Sequence, residues 1–486
     1  MANEDILKKA LRASQWLTLG IVIQRVFGIL SFLTIARLLE PSHYGVMAMV
    51  GIIVNLLDTF LSPSFGQALI QKKEITRKEL DQVWSLSVYR GIILSIIIFI
   101  AAPYIEPFFN VPGLTNLLRF SSIFILIQGF CNVGQTYVFR ELAFEKILLR
   151  DLIGMIIQFI VTLIWALFIS TSAWALAVGT FAMYLSTCIA TFFISSYRPR
   201  LVFSFPGVKH LVSYSKWVVG QNMINYFTSI IDTIFIARVL DAGSIGLYSK
   251  SKDLALIPSS YIYDISYRVG LSAYAKIQGS LDMVRDSFIK TLDVALITSL
   301  IFTAVIVGYG HEFIQLLFGG KWISIVEVLK ILSIGMIFRS IYIVTFPVFD
   351  GVGKPKFRFL TLLIQLISSI ILIYMFRNKG LSGISIATIA SMLITAVSSI
   401  IMVITFIRIP ILKILKSFTV TFFPFAIICM VIFAQKTYLP LGIYLSLIAA
   451  CFTPILYMGL LVFFGRIFRH SPHEFIMTTA INFFKR

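Results

Sequence analysis

The sequence predicts an all-α membrane protein of about fourteen transmembrane helices, built as two parallel six-helix bundles around a central cavity plus a C-terminal helix pair. An apolar composition and an internal repeat carry this prediction. Of the 486 residues, 58% are hydrophobic and 13% are charged, whereas ordinary soluble domains carry about 25% charged residues. The apolar runs are continuous rather than alternating, which excludes membrane-barrel strands and leaves helices.

The two halves of the chain begin alike, with matched residues 201 positions apart. Ser, Trp, Arg and Gly matches at one offset are informative even in so apolar a chain. The offset contains six predicted spans, an even number, so the halves are parallel repeats, an arrangement typical of transporters. A weaker match pairs Arg119 with Lys330 at an offset of 211. The main matches are Ser14, Trp16, Ile35-Ala36-Arg37, Leu39 and Gly45 with Ser215, Trp217, Ile236-Ala237-Arg238, Leu240 and Gly246.

Each transmembrane helix requires about 20 apolar residues. On that basis the helices are predicted at 14–38, 44–64, 83–108, 117–139, 148–170, 174–195, 213–238, 244–264, 288–310, 325–348, 357–376, 380–407, 415–435 and 441–466. The domains follow from these spans. They are an N-terminal six-helix bundle (1–195), a cytoplasmic linker (196–212), the repeated C-terminal bundle (213–407), and helices 13 and 14 with a cytoplasmic tail (408–486).

The basic residues alternate between the predicted loops. With the N-terminus inside, 28 of the 41 Lys and Arg residues fall in cytoplasmic segments and 8 in external ones. Both termini are therefore predicted to be cytoplasmic, and the formal charge of +19 is interpreted as a topology signal rather than a nucleic-acid surface. The exception is Arg377-Asn378-Lys379, a basic turn that this topology places outside.

Charged residues at membrane depth are the candidate functional residues. Each costs about 2.5–3.5 kcal/mol at a helix centre, so each needs an interior cavity or a partner. The predicted substrate-binding residues of a cationic cavity are Arg25, Lys250, Lys252 and Arg339. The candidate ion-pair or coupling residues are Asp58, Asp232, Asp253 and Asp293.

Two interpretations stay open for several of these residues. Arg25 either lines the cavity or pairs with Asp58 of the next helix. Lys250 and Asp253 are three positions apart on one helical face, where they either pair or remain separate. Because Lys252 points away from Lys250, we expect at least one of the two lysines to face water or an anionic ligand.

Other charged positions have a preferred interpretation. Arg339 has no sequence-local partner, which favours a place in the cavity. Asp232 and Asp293 are expected to be buried hydrogen-bonded groups rather than coupling-ion sites, and Arg90 is expected to extend to the cytoplasmic surface. The run from Asp350 to Pro355 lacks the Walker spacing of a phosphate loop and is predicted to be a turn.

Nothing in the sequence indicates catalysis. The five histidines are scattered, the four cysteines lie inside apolar runs, and neither set has metal-ligand spacing. The predicted external loops are short, so no external domain is expected. The sequence therefore predicts no enzyme activity, no catalytic residue, no metal and no cofactor.

The opening segment resembles the start of the Wzx-type polysaccharide and O-antigen flippases of the multidrug/oligosaccharidyl-lipid/polysaccharide (MOP) exporter superfamily. The resemblance is carried by Trp16, by the run from Ala36 to Gly45 and by Phe65–Lys73. It implies a flippase that moves undecaprenyl-diphosphate-linked oligosaccharides across the bacterial cytoplasmic (inner) membrane by alternating access. Such units supply lipopolysaccharide O-antigen, capsule or exopolysaccharide.

The resemblance also implies partners and a site. The implied partners are the lipid-linked oligosaccharide, membrane lipid, and a polysaccharide polymerase or glycosyltransferases. The family's cationic lumen maps onto the four basic residues only by their positions in the helices. Three alternatives remain: a drug or metabolite exporter of the same superfamily, a membrane-embedded polysaccharide polymerase or ligase, and a scaffold for glycosyltransferases.

Overall fold

A computed structural model describes residues 2–61, 76–141, 143–204, 209–439 and 441–468, which form α-helices joined by short turns, without strands. Within these ranges fourteen α-helices are long and two have six residues each. The long helices are α1 (Ala2–Leu38), α2 (Pro41–Leu61), α3 (Arg77–Phe109), α4 (Leu114–Phe130), α6 (Phe144–Phe168), α7 (Ala173–Ile194), α8 (Lys209–Val239), α9 (Ala242–Ile277), α10 (Leu281–Phe318), α11 (Ile325–Ile343), α13 (Pro355–Phe376), α14 (Gly380–Ile407), α15 (Ile411–Tyr438) and α16 (Ile443–Ile467). The short helices are α5 (Gln135–Arg140) and α12 (Phe346–Gly351).

The helix count and the all-α class predicted from the sequence are confirmed, with one long helix at each predicted span. The fourth helix of each half is broken near its end, so that α5 follows α4 and α12 follows α11. Three features of the sequence lie outside the described residues: the Phe65–Lys73 part of the opening motif, the linker residues Pro206 and Gly207, and the tail after Phe468.

Over the described ranges, nine helical segments are long and apolar enough to cross a membrane. One of them covers both α13 and α14, which are joined by the turn Arg377–Lys379. In that turn Arg377 stacks on Tyr374 at 4.0 Å from the ring centroid. Large apolar side chains are exposed along most of these helices, as expected where lipid is the solvent. The chain is a multi-pass membrane protein.

The internal repeat extends to the helix boundaries. The starts of α2 and α9 are 201 positions apart, and those of α4 and α11 are 211 apart. The short helices α5 and α12 also begin and end 211 positions apart, the offset that pairs Arg119 with Lys330. The same packing recurs: α3 on α4, α4 on α7 and α6 on α7 correspond to α10 on α11, α11 on α14 and α13 on α14.

The chain forms two compact units. Unit 1 contains the described residues of Met1–Ile230 and Ala237–Gly246, and unit 2 contains those of Ile231–Ile236 and Leu247–Arg486. Most of α8 therefore belongs to unit 1. The predicted bundle limits at residues 195, 213 and 407 stay predictions.

In unit 1 the chain that follows α7 is bound along α3. We call residues 195–204 the strap, because this non-helical segment bonds to three buried polar residues of α3. Its contacts are Tyr197 Oη to Asp81 Oδ1 (2.5 Å), Arg200 N to Asp81 Oδ1 (3.0 Å), Val202 N to Ser85 Oγ (2.9 Å) and Gln82 Nε2 to Ser204 O (2.9 Å). Burial and the nearby carboxylate raise the pKa of Tyr197, so its hydroxyl stays a donor. Much of the predicted linker is thus part of unit 1.

In unit 2 the helices predicted as an appendage are held against α10. Helix α15 runs parallel to α10 and is joined to it by polar contacts near both ends. At Gly308 of α10 an added Cβ would lie 2.9 Å from Ile432, so the helices approach closely there. The contacts are Lys413 Nζ to Asp286 Oδ1 (3.0 Å), Tyr309 Oη to Gln435 Oε1 (2.6 Å) and Lys436 Nζ to Glu312 Oε1 (2.9 Å).

The run from Asp350 to Pro355 is a turn, as the sequence predicts. It closes α12, passes through Gly353 at a φ of 75°, which glycine adopts without strain, and starts α13. Asp350 Oδ2 accepts hydrogen bonds from Arg358 Nη1 (2.7 Å) and Tyr267 Oη (3.0 Å). Its carboxylate therefore joins α9, α12 and α13.

Candidate functional site

Lys252 of α9 forms an ion pair with Asp232 of α8. The Lys252 ammonium lies 2.8 Å from Oδ1 and 2.6 Å from Oδ2 of a carboxylate that is almost entirely buried. Lys252 itself retains 16% of its side-chain exposure. The two residues are 20 positions apart on different helices, so helical spacing does not reveal the pair.

The Asp232 carboxylate also accepts hydrogen bonds from neutral donors. Tyr248 donates its hydroxyl to Oδ2 at 2.6 Å, and the backbone N–H of Thr233 donates to Oδ1 at 2.7 Å. The Tyr248 hydroxyl also lies 3.1 Å from Thr388 Oγ1 of α14. Asp232 therefore connects α8, α9 and α14 within unit 2, and it is a buried hydrogen-bonded group, as expected.

Lys250 and Asp253 form an ion pair, which was one of the two interpretations that their spacing left open. The Nζ-to-Oδ2 distance is 2.9 Å, and Asp253 is 65% exposed. Lys250 and Lys252 therefore each have a carboxylate partner. Lys252 has its carboxylate partner on another helix, and the expectation that at least one of the two lysines faces water or an anionic ligand stays a prediction.

Arg339 lies in α11, the most buried of the apolar helices. It is fourteen positions beyond Ile325, about 21 Å along the axis at about 1.5 Å per residue. Its Nε is buried without a hydrogen-bond partner, as is the hydroxyl of Ser340 beside it. Within the described ranges no carboxylate forms an ion pair with Arg339, and its place in a cavity stays a prediction.

In unit 1 the Asp58 carboxylate pairs with Arg90, whose Nη2 lies 3.2 Å away. The Arg90 side chain is 19% exposed and lies beside this acid of the adjacent helix α2. The pairing of Arg25 with Asp58 and the extension of Arg90 to the cytoplasmic surface stay predictions. Arg25 is an exposed residue of α1.

Asp293, the last of the acidic candidates, is buried between α10 and α15. It accepts a hydrogen bond from the Ser417 hydroxyl, so it is a hydrogen-bonded group, as expected. The acidic candidates thus differ in environment: Asp253 is exposed, Asp58 is half-buried, and Asp232 and Asp293 are buried.

Two residues of these networks were missed as candidates. Arg90 was excluded by its depth alone, although its position opposite Asp58 on the neighbouring helix offered a signal. Tyr248 offered none, since a tyrosine in an aromatic-rich membrane chain is more often a packing or interface residue. The structure brings Lys252, Asp232 and Tyr248 together. Arg339 is not part of this cluster, and its Nε has no hydrogen-bond partner within the described residues.

Comparison with known proteins identifies related sequences. A family model described as "Polysaccharide biosynthesis protein" matches residues 34–327. The lipopolysaccharide biosynthesis protein WzxC of Escherichia coli (strain K12) is 27% identical over 338 residues, 69% of each chain. The teichuronic acid biosynthesis protein TuaB of Bacillus subtilis is 23% identical over 69% of this chain and 70% of its own. The succinoglycan biosynthesis transport protein ExoT of Rhizobium meliloti is 21% identical over 70% of this chain and 69% of its own.

Solved structures show the same fold. The lipid II flippase MurJ, in an inward closed conformation, superposes with a TM-score of 0.75 at 15% identity, covering 92% of this chain and 98% of MurJ. An inward-facing multidrug resistance MATE family transporter of the MOP superfamily gives 0.64 at 14% identity, with 82% and 98% covered. The predicted fold is therefore confirmed. The expectation that the chain is not an enzyme agrees with these matches.

Proposed function

Because the chain belongs to the polysaccharide biosynthesis protein family, we propose that it is a flippase for a lipid-linked oligosaccharide. Its substrate would carry a sugar unit on undecaprenyl diphosphate, and the product would supply O-antigen, capsule or exopolysaccharide assembly. The membrane would be the bacterial cytoplasmic membrane, with both chain termini inside. Glycosyltransferases and a polymerase would act before and after it.

The observation that carries this proposal is the guanidinium of Arg339. An arginine in a buried membrane helix retains its charge, so it needs an anion or water. Its Nε has no acceptor within the described part of the chain. A diphosphate offers both negative charge and several acceptor oxygens, which a guanidinium binds in a planar, two-pronged geometry. Arg339 is therefore the best-supported of the four predicted basic residues.

Lys250 and Lys252 of α9 are secondary ligands in this proposal. Each is held by a carboxylate in the structure, Lys250 by Asp253 and Lys252 by Asp232. A diphosphate would have to compete with those carboxylates for the ammonium groups. The binding roles of Arg25, Lys250, Lys252 and Arg339 remain part of the proposal.

Membrane physics supports a flippase that exposes cationic groups. A diphosphate headgroup is not soluble in hydrocarbon, whereas the polyprenyl tail attached to it is. Outward movement of negative charge is favoured by an inside-negative potential, by about 2.3 kcal/mol per charge per 100 mV. The protein therefore needs to shelter the headgroup while the tail stays in lipid.

Arg339 variants test the proposal in a strain that depends on this protein for its surface polysaccharide. Arg339→Gln is expected to lower surface polysaccharide at least about tenfold, because the anion loses its guanidinium. Arg339→Lys should restore part of it. Lys413→Gln, which removes a basic residue from the exposed pair with Asp286, is the matched control and should leave it unchanged.

Membrane levels of each variant are measured in parallel. A normal amount of surface polysaccharide with Arg339→Gln present at wild-type level would overturn the assignment. Deletion of the protein should change the polysaccharide and leave drug susceptibility as it was. The reverse pattern would favour a drug exporter.

A further inference from the structure

The ion pair of Lys252 and Asp232 has more hydrogen bonds than a simple counter-charge needs. Five bonds end on the Asp232 carboxylate: two from Lys252, one from Tyr248 and two from Thr233. Three of these come from neutral groups and would remain if the ammonium moved away. The site therefore solvates the carboxylate even without Lys252.

The second repeat has this cluster and the first does not. At the positions 201 residues earlier, Ser31 replaces Asp232, Met47 replaces Tyr248 and Gly51 replaces Lys252. Helices α1 and α2 form at the equivalent places without any of the three residues. The cluster is thus not a requirement of the duplicated helical pair.

Stability alone gives little reason for such a pair. Removing two charges from water is costly, and buried ion pairs can often be replaced by apolar residues without loss of stability. The pair also holds a cation in place. The Lys252 ammonium bonds to both oxygens of the Asp232 carboxylate, while 16% of the Lys252 side chain remains exposed. A partly exposed cation with a buried counter-charge is suited to exchange its partner.

We propose that Asp232 withholds Lys252 from the substrate, so that the diphosphate headgroup must displace the carboxylate to bind the ammonium. Asp232 is then a positioning residue that weakens headgroup binding and promotes release, since Lys252 returns to it when the headgroup leaves. The Tyr248 and Thr233 donors make the exchange feasible by keeping the carboxylate solvated. This inference rests on the proposed function.

Binding of a soluble polyprenyl diphosphate tests the inference. Farnesyl diphosphate is titrated into the purified full-length protein in lipid nanodiscs, and Kd is measured for Asp232→Asn, Lys252→Met and the double variant. Asp232→Asn is expected to bind at least about fivefold more tightly, because Lys252 is released. Lys252→Met should bind more weakly, and the double variant should match Lys252→Met.

The direction in which Asp232→Asn changes Kd separates a positioning role of Asp232 from a purely structural one. A purely structural pair predicts that Asp232→Asn and Lys252→Met both weaken binding and that the double variant recovers; that result would overturn the inference. Asp286→Asn is the matched control, since it removes an exposed carboxylate from the ion pair with Lys413, which is not a predicted ligand. Its Kd should stay within about twofold of wild type, as expected for an exposed ion pair.

A second variant covers the case in which Asp232→Asn does not fold. Tyr248→Phe removes one donor from the carboxylate, which then holds Lys252 more strongly, so weaker farnesyl diphosphate binding is expected. Equal or tighter binding would count against the inference. Thr388 keeps its hydrogen bond to the Ile384 carbonyl in this variant.

The outcome for Arg339→Gln distinguishes the two proposals. If Arg339→Gln abolishes farnesyl diphosphate binding and Asp232→Asn does not tighten it, the proposed function stands and only the proposed role of Asp232 is refuted. If the wild-type protein does not bind the diphosphate, the proposed function and this inference fail together.

Discussion

Gly45 of α2 and Gly246 of α9, equivalent glycines of the two repeats, pack against each other's helices. A Cβ added to Gly45 would lie 1.7 Å from the carbonyl oxygen of Ala242, and one added to Gly246 would lie 1.8 Å from that of Pro41. Pro41 and Ala242 are themselves 201 positions apart, so the contact is reciprocal. Backbones that approach this closely need residues without side chains and favour Cα–H···O contacts.

The first prediction concerns the crossing of α2 and α9 at Gly45 and Gly246. Gly45→Ala and Gly246→Ala should each lower the thermal stability of the purified protein, because the new methyl group meets a backbone carbonyl that cannot rotate away. Overpacking of this kind costs about 1–3 kcal/mol. The readout is the melting temperature in a fixed detergent or lipid.

Gly51→Ala is the control in the same helix. Among the residues that the structure describes, only the side chain of Asn55 lies near its added Cβ, at 3.8 Å. Alanine is the better helix former by about 1 kcal/mol, so this variant should be as stable as wild type or more so. Equal behaviour of all three variants would refute the importance of the crossing.

The second prediction concerns the strap. Asp81→Ala removes the acceptor shared by the Tyr197 hydroxyl and the Arg200 N–H, leaving both donors unsatisfied at a cost of about 1–3 kcal/mol each. The strap should detach more often, which limited trypsin digestion would detect as faster cleavage after Arg200; the bond after Arg198 precedes Pro199 and resists trypsin. Unchanged cleavage would show that the other bonds suffice.

A matched control for the strap is Tyr89→Phe. This change removes a long bond of 3.4 Å from the Tyr89 hydroxyl to the Val202 carbonyl. The ring stays available to pack on Phe203, whose centroid lies 5.8 Å away. The trypsin cleavage rate is expected to equal that of the wild-type protein.

The third prediction concerns the ion pair of Arg90 and Asp58 in unit 1. Arg90→Leu should reduce the folded yield strongly, because it leaves the Asp58 carboxylate without its guanidinium in a membrane helix, and breaking a buried pair costs about 3–5 kcal/mol. The pair is partly exposed, with Asp58 at 31%, so the loss should lie toward the lower end.

A double variant isolates the charge from the packing. Arg90→Leu with Asp58→Asn should recover most of the yield, measured by size-exclusion chromatography of the solubilised protein. A double variant as poor as Arg90→Leu would mean that Arg90 acts through its packing. Asp58→Asn alone should also lower the yield, since it leaves the guanidinium uncompensated.

Much of the fold could be predicted from the sequence because a membrane helix requires a long apolar run that is visible in the sequence. Apolar runs of membrane length gave all fourteen long helices, and matched Ser, Trp, Arg and Gly residues revealed the duplication. The breaks after α4 and α11 were missed, since the residues around Cys131 and Val344 interrupt the apolar pattern too briefly. The attachment of α15 to α10 was missed because its polar contacts are far apart in sequence.

The candidate site was predictable only as a set of charges. The pair of Lys250 and Asp253 follows from helical spacing, because residues three apart share a face. The partners of Lys252 and Asp58 lie on other helices, at separations that carry no periodic signal. Arg339 was recognised by the absence of any nearby acid in its own helix.

The sequence by itself determined that lipid is the solvent, where the long helices of the described ranges lie and that the two halves repeat each other, because hydropathy and repeated residues are properties of the chain read in order. Only the tertiary structure decided which charges neutralise each other, namely Lys252 with Asp232 and Arg90 with Asp58. In a membrane an ionised side chain must meet a counter-charge, an anion or water, and which of these it meets depends on the helix faces that packing brings together.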